Sequence, residues 1–207
     1  MRAKLRIPLC AILLVVLASS VSGQFRLFGP RSPKPTPQPM RKASALISRQ
    51  PPLKVNQSLL TQATPDNTHI VVSIPKQRAY LMIDDQIVAD GPISSGRRGH
   101  ESPTGHLHVL EKDPDHHSNL YGDFVDSSGR VVRGGVSARI DSAPSGTHFT
   151  GAPMRWFLRL TEEGVGMHVG ILPGYPASHG FIRQSSDGAK LFYDHVKVGT
   201  PVDVGDY

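Results

Sequence analysis

The sequence predicts a mainly β domain, sandwich or barrel-like, with one helix near its C-terminus. Three observations predict it. Short apolar or alternating segments recur from about residue 68 onward, separated by turn residues. Glycine and proline together make 38 of 207 residues, which favours turns over long helices. One segment alone, after Ser185, pairs a helix cap with helical spacing of its apolar residues.

Two segments precede the domain. Met1–Arg6 carries Arg2, Lys4 and Arg6, and Ile7 to Val21 is apolar or small. Small residues follow at Ser19, Ser20, Ser22 and Gly23. A charged head, an apolar middle and a small-residue end predict a secretory signal over residues 1–23, cut after Gly23, so that the protein is exported to the periplasm or cell envelope. An uncleaved anchor is the alternative, although the run is short against the ~20 residues of a membrane span. Residues 24–67 read as a basic linker. Eight of the 42 residues from Gln24 to Pro65 are proline, with Pro33, Pro35, Pro37 and Pro39 in alternation. That density stiffens a chain toward an extended form. Its arginines and lysines suit contact with anionic lipid or wall polymer outside the cytoplasm, or a plain soluble spacer.

Charge divides the chain at the same place. Residues 1–65 hold ten Lys/Arg and no acid, whereas residues 66–207 hold 13 Lys/Arg and 17 Asp/Glu. The overall +6 thus joins a basic leader to a mildly acidic domain, which argues against nucleic acid as a partner. Cys10 is the one cysteine and lies in the predicted signal. An internal disulfide and a Cys-based zinc cluster are excluded, and the mature chain is expected to contain no thiol.

From Thr68 to Tyr207 the chain is long enough to bury one core. Strands are predicted at Ile70–Ile74, Arg78–Ile83 and Ile87–Ile93, the last two joined through Asp84-Asp85-Gln86. Further strands are predicted at Gly105–Glu111, Val131–Val132, Trp156–Leu160, Val165–Val169 and Val202–Val204. Ser185 or Ser186 caps the helix, Ala189, Phe192 and Val196 share one face, and Gly199 with Pro201 ends the segment. Trp156 and Phe192 are predicted core residues. His106, His108, His116 and His117 lack a convincing ligand pattern, and no metal or other cofactor is expected. Arg97-Arg98 lies in a Gly-rich loop where it could meet an anion or simply be solvated.

The chemistry concentrates between residues 166 and 183. His168 ends a strand, a Gly/Pro loop follows, and Ser178-His179-Gly180-Phe181-Ile182-Arg183 approaches the helix. Two imidazoles and several backbone N–H groups around one point suit nucleophile activation and oxyanion stabilisation.

This stretch resembles the signature of the L,D-transpeptidase (YkuD-type) family, a His-containing strand followed by Ser-His-Gly-Cys-x-Arg. The likeness extends to Val72–Leu81, to Ser94–Arg97 with Ser102–Leu107, to Ala152–Phe157 and to Gly199–Val202. It implies the family's β-sandwich with a helix after the active-site loop, and cross-linking or remodelling of peptidoglycan through stem peptides and a cysteine thioester. It makes His168 the general base, has Ser178, His179 and Gly180 shape the pocket, and has Arg183 hold a substrate carboxylate. The nucleophile position falls on Phe181, and a phenyl ring cannot form a thioester. Three readings follow: a non-catalytic peptidoglycan-binding or scaffold module, a pseudoenzyme; a hydrolase or transferase using Ser178 or Ser185; or an isolated single-base variant. Gln184-Ser185 also departs from the family's apolar residue and Pro.

Overall fold

The computed structural model of the chain describes residues 50–207. Cys10, the predicted signal and residues 24–49 of the predicted linker lie outside the described residues.

Thirteen strands and two helices are described. The first two elements, β1 (Lys54–Val55) and helix α1 (Gln57–Leu60), fall inside the segment predicted as linker. Leu53, Val55, Leu59, Leu60 and Ala63 pack against the core, so the domain's edge lies before Thr68. The linker reading followed composition across a stretch where prolines have already thinned out, and these few apolar residues are enough to dock it.

The main sheet has ten strands. Its first hairpins are β2 (Thr68–Ser73), β3 (Arg78–Ile83) and β4 (Gln86–Ser94). Asp84 takes a left-handed φ of 47° in the turn that joins β3 to β4. The predicted strand Gly105–Glu111 is two strands, β5 (Gly105–His108) and β6 (Glu111–Asp113), at opposite ends of the sheet. The break at Val109 and Leu110 has a cause: Val109 N–H donates to Thr200 and Leu110 N–H to Arg159, so consecutive residues join different neighbours.

Next come β10 (Phe157–Arg159), β11 (Gly166–Val169), β12 (Ile182–Gln184) and β13 (Pro201–Gly205). The order across the sheet is β5-β13-β2-β3-β4-β12-β11-β10-β6, with β1 alongside β4. The far edge of β4 is shared: β1 pairs at Ala89 and Asp90, β12 at Ile93 and Ser94.

Helix α2 (Ser186–Asp194) begins where β12 ends. Ser185 is its cap, accepting from Gly188 N–H at 3.2 Å. The helix stops at Asp194 with His195 as C-cap, short of the predicted Gly199. Phe192 and Val196 are fully buried with Ile70, Leu81, Ile93, Leu158, Met167 and Ile182, so one core joins the helix to both halves of the curled sheet.

A second sheet has three strands in the order β8-β7-β9. They are β7 (His117–Val125), β8 (Val131–Ser137, longer than predicted) and β9 (His148–Pro153). The fold is therefore the mainly β architecture expected, with its helix after the loop that carries Ser178 to Phe181.

Trp156 is not a core residue. It is half-buried with φ of 56°, its ring 5.3 Å from that of Tyr193 and within 5.1 Å of the Lys190 ammonium. The left-handed backbone turns the indole away from the interior, where Phe157 takes the core place.

Candidate active site

The two sheets face each other across a cleft of about 300 Å³. From the main sheet and its loop come His168, Ser178, His179, Phe181 and Arg183; from the small sheet come Ser118, Tyr121, Gly122 and Asp123 of β7, with Gly135 and Val136 of β8. All the predicted site side chains thus share one cavity. Gly180 lies between two of them.

Parallel pairing of β11 with β12 sets the geometry, because it places His168 directly beside Arg183. Strand alternation then sends Ile182 and Gln184 inward and Arg183 to the cleft. Gly170 keeps that path open. A Cβ there would lie 2.7–2.9 Å from Cγ, Cδ and Cβ of Arg183. The Arg183 guanidinium is half-buried, and burial pulls its pKa down from the usual arginine value. Among the described residues no carboxylate lies within ion-pair distance of it.

His168 is 8% exposed. Its Nδ1 donates to the Val169 carbonyl at 2.7 Å. A carbonyl only accepts, so the proton sits on Nδ1 and Nε2 carries the free lone pair a general base needs. Burial, opposed in part by that hydrogen bond and reinforced by Arg183 and His116, pushes its pKa down to about 4. The imidazole is neutral at physiological pH.

Phe181 lies beside it. The two ring centroids are 5.5 Å apart at an interplanar angle of 85°, an edge-to-face pair. Among the described residues no cysteine lines the cleft.

His179 is exposed at the rim. Arg97 Nη2 donates to its Nε2 at 2.9 Å, which puts the His179 proton on Nδ1. Burial first, then Arg97, His100 and Arg183, hold its pKa below the ordinary imidazole value. Ser178 is 1% exposed, and its backbone clips the loop to the sheet: Ser178 N–H donates to Ser95 and its carbonyl accepts from Arg97 N–H at 2.9 Å. Gly180 adopts φ of 104°, a conformation that L side chains resist. The turn there leaves the N–H groups of His179, Gly180 and Phe181 without a backbone acceptor among the described residues. Among the described residues neither imidazole hydrogen-bonds a serine hydroxyl, and Ser185 caps α2.

The small sheet supplies what the sequence reading missed. Tyr121 brings its ring to 5.2 Å from His179, and Asp123 accepts from Gly135 N–H at 2.8 Å. Met154 adds apolar lining. Of the other histidines, His106 pairs with Asp203 and His116 with Asp113, while His116 also stacks on Phe157. Among the described residues no group of three or more His, Cys, Asp or Glu side chains gathers as metal ligands do.

A buried neutral imidazole, amides at a Gly turn and a guanidinium, the last two without partners among the described residues, gather around one cleft on a mainly β fold. The L,D-transpeptidase catalytic domain family (YkuD) matches residues 67–204, and the chain belongs to that family. No curated protein matches the chain.

Among solved structures it is similar to an L,D-transpeptidase from Mycobacterium smegmatis, at 23% identity and a TM-score of 0.49, over 67% of this chain and 58% of that one. It is also similar to an LD transpeptidase solved in complex with imipenem, at 22% identity and a TM-score of 0.50 over the same shares. L,D-transpeptidase 3 from Mycobacterium tuberculosis, solved with a faropenem-derived adduct, is 24% identical with a TM-score of 0.47, over 67% and 60%. Such identities bear on the fold alone, and the chain spans about three fifths of these relatives' length.

Proposed function

We propose that this protein binds peptidoglycan stem peptides in the cleft and does not perform the family's thioester exchange. The observation that carries the reading is the Phe181 ring, 5.5 Å from His168 at the place the family motif gives to its nucleophile. A phenyl group offers no electron pair to an amide carbon and no leaving group, and its bulk sits where the acyl carbon would approach. The rest of the cradle supports recognition. Arg183 presents a planar fork of donors to a carboxylate, and the amides beside Gly180 suit a carbonyl oxygen. The absence of a histidine partner for any cleft serine argues against serine chemistry at the same site.

On this reading the protein works outside the cytoplasm, sent there by residues 1–23. The basic segment after them then serves as a tether, near anionic lipid or wall polymer.

The test is acylation by a carbapenem, read as a mass increase on the intact protein. The parent stays unmodified, whereas Phe181→Cys gains one adduct, because the mutation returns a thiol to a cradle that keeps its base. An adduct on the parent overturns the reading. Retention on purified sacculi tests binding directly, and failure of the parent to be retained rejects the wall role.

A further inference from the structure

Arg97 and His100, at the mouth of the cleft, have no part in the reading above. The loop 96–101 lies over the loop 177–180 and is pinned to it: Arg97 N–H donates to Ser178, and the Glu101 carbonyl is 3.6 Å from where a Cβ of Gly180 would stand. The pinning sets Arg97 and His100 around His179. Arg97 donates one N–H to it, and the His100 ring meets it edge-on with centroids 4.9 Å apart.

No carboxylate of the described residues lies within 4.0 Å of Arg97, Arg98 or Arg183. Glu101, the loop's own acid, instead accepts from Gly99 N–H at 2.8 Å. Asp123, the acid of the cavity, accepts from Gly135 N–H. Arg97 has five N–H donors and spends one on His179, which leaves an open fork for a planar anion.

We propose that Arg97, with His100 beside it, forms a second carboxylate subsite at the mouth of the cleft, so that the protein selects peptides bearing two carboxylates, one held by Arg183 within and one by Arg97 outside. This rests on the reading that the cleft holds a stem peptide, and it names what distinguishes the peptides chosen. His179 acts as the spacer. By accepting from Arg97 it orients the guanidinium over the entrance, and Tyr121 backs its ring from the small sheet.

The test is calorimetric titration of the full chain with a synthetic tetrapeptide that has a free C-terminal carboxylate and one side-chain carboxylate, and with its two mono-amides. Each amidation should weaken binding to the parent about tenfold, the scale of one charge-assisted contact. In Arg97→Gln one of the two amidations costs nothing further, and in Arg183→Gln the other does. Arg98→Gln, which alters the same loop charge without the fork, keeps both losses. Sensitivity of Arg97→Gln to both amidations, or an equal effect of Arg98→Gln, overturns the subsite and leaves the stem-peptide reading standing. Failure of the parent to bind any of the three peptides overturns both.

Discussion

Removing the imidazole of His168 should flatten the acid limb of the protein's stability curve. Burial lowers this pKa from 6.5 to about 4. The unfolded chain therefore binds a proton between these values that the folded chain refuses. The sign follows: His168 contributes stability above pH 6.5, and that contribution is lost as pH falls through about 4. A displacement of about 2.5 in pKa corresponds to about 3 kcal/mol, of which about 2 kcal/mol has gone by pH 5. Urea denaturation of the parent and of His168→Gln at several pH values from 7.5 to 4 reads the difference directly. The variant starts from a different stability, so the quantity of interest is the change with pH. The parent should lose about 3 kcal/mol more than the variant over that range. Parallel curves would refute the argument, and so would an imidazole resonance of His168 titrating near 6.5.

Two further predictions follow from packing. Gly170→Ala places a methyl 2.7–2.9 Å from Cγ, Cδ and Cβ of Arg183; the outer stem can turn, but Cβ is fixed to β12, so the strand itself must shift. The guanidinium should be displaced from the cleft, with retention on sacculi falling about tenfold and the urea midpoint falling with it. A chain that starts at Thr68 loses Leu53, Val55, Leu59, Leu60 and Ala63 from the core. It should be less stable by several kcal/mol than a chain starting at Gln50, since each buried aliphatic side chain is worth about 1.5–3 kcal/mol. Equal midpoints for the two chains would return the domain edge to Thr68.

The sequence was most legible where local pattern and tertiary role agree. Arg78–Ile83 is a short, mostly apolar run ended by the Asp84-Asp85 turn, and its bounds match β3. Helix α2 carries its cap and its buried stripe in adjacent residues. His168, His179 and Arg183 were found because a short motif holds them together. Two of the three strands of the small sheet, β7 and β9, were hidden. Of the four buried positions of β7, two are Ser118 and Gly122 and the other two, Phe124 and Val125, are adjacent; β9 places Gly151 opposite Gly122, so neither strand shows alternation. Both earn their place by pairing over long range, which single-chain pattern does not record. Tyr121 and Asp123 were lost with the strand that carries them. The pairing of Arg97 with His179, 82 residues apart, was equally out of reach.

The two polar groups deepest in the cleft oppose folding under different conditions, Arg183 at neutral pH and His168 only below about pH 6.5. His168 gives up protonation on burial, and Arg183 keeps a half-buried charge that no described carboxylate balances. A cleft serving only as a structural seam would be more stable with apolar side chains at both places, because an unpaired buried charge is worth less than packing. Groups that lower stability within an otherwise well-packed core mark a place shaped for binding. Arg183→Met makes that argument testable in the parent background. The aliphatic stem beside Gly170 is preserved and the charge is removed. The urea midpoint should rise while retention on sacculi falls. If the midpoint falls instead, the guanidinium holds the fold together through contacts of its own, and its unpaired state in the cleft is no sign of a ligand.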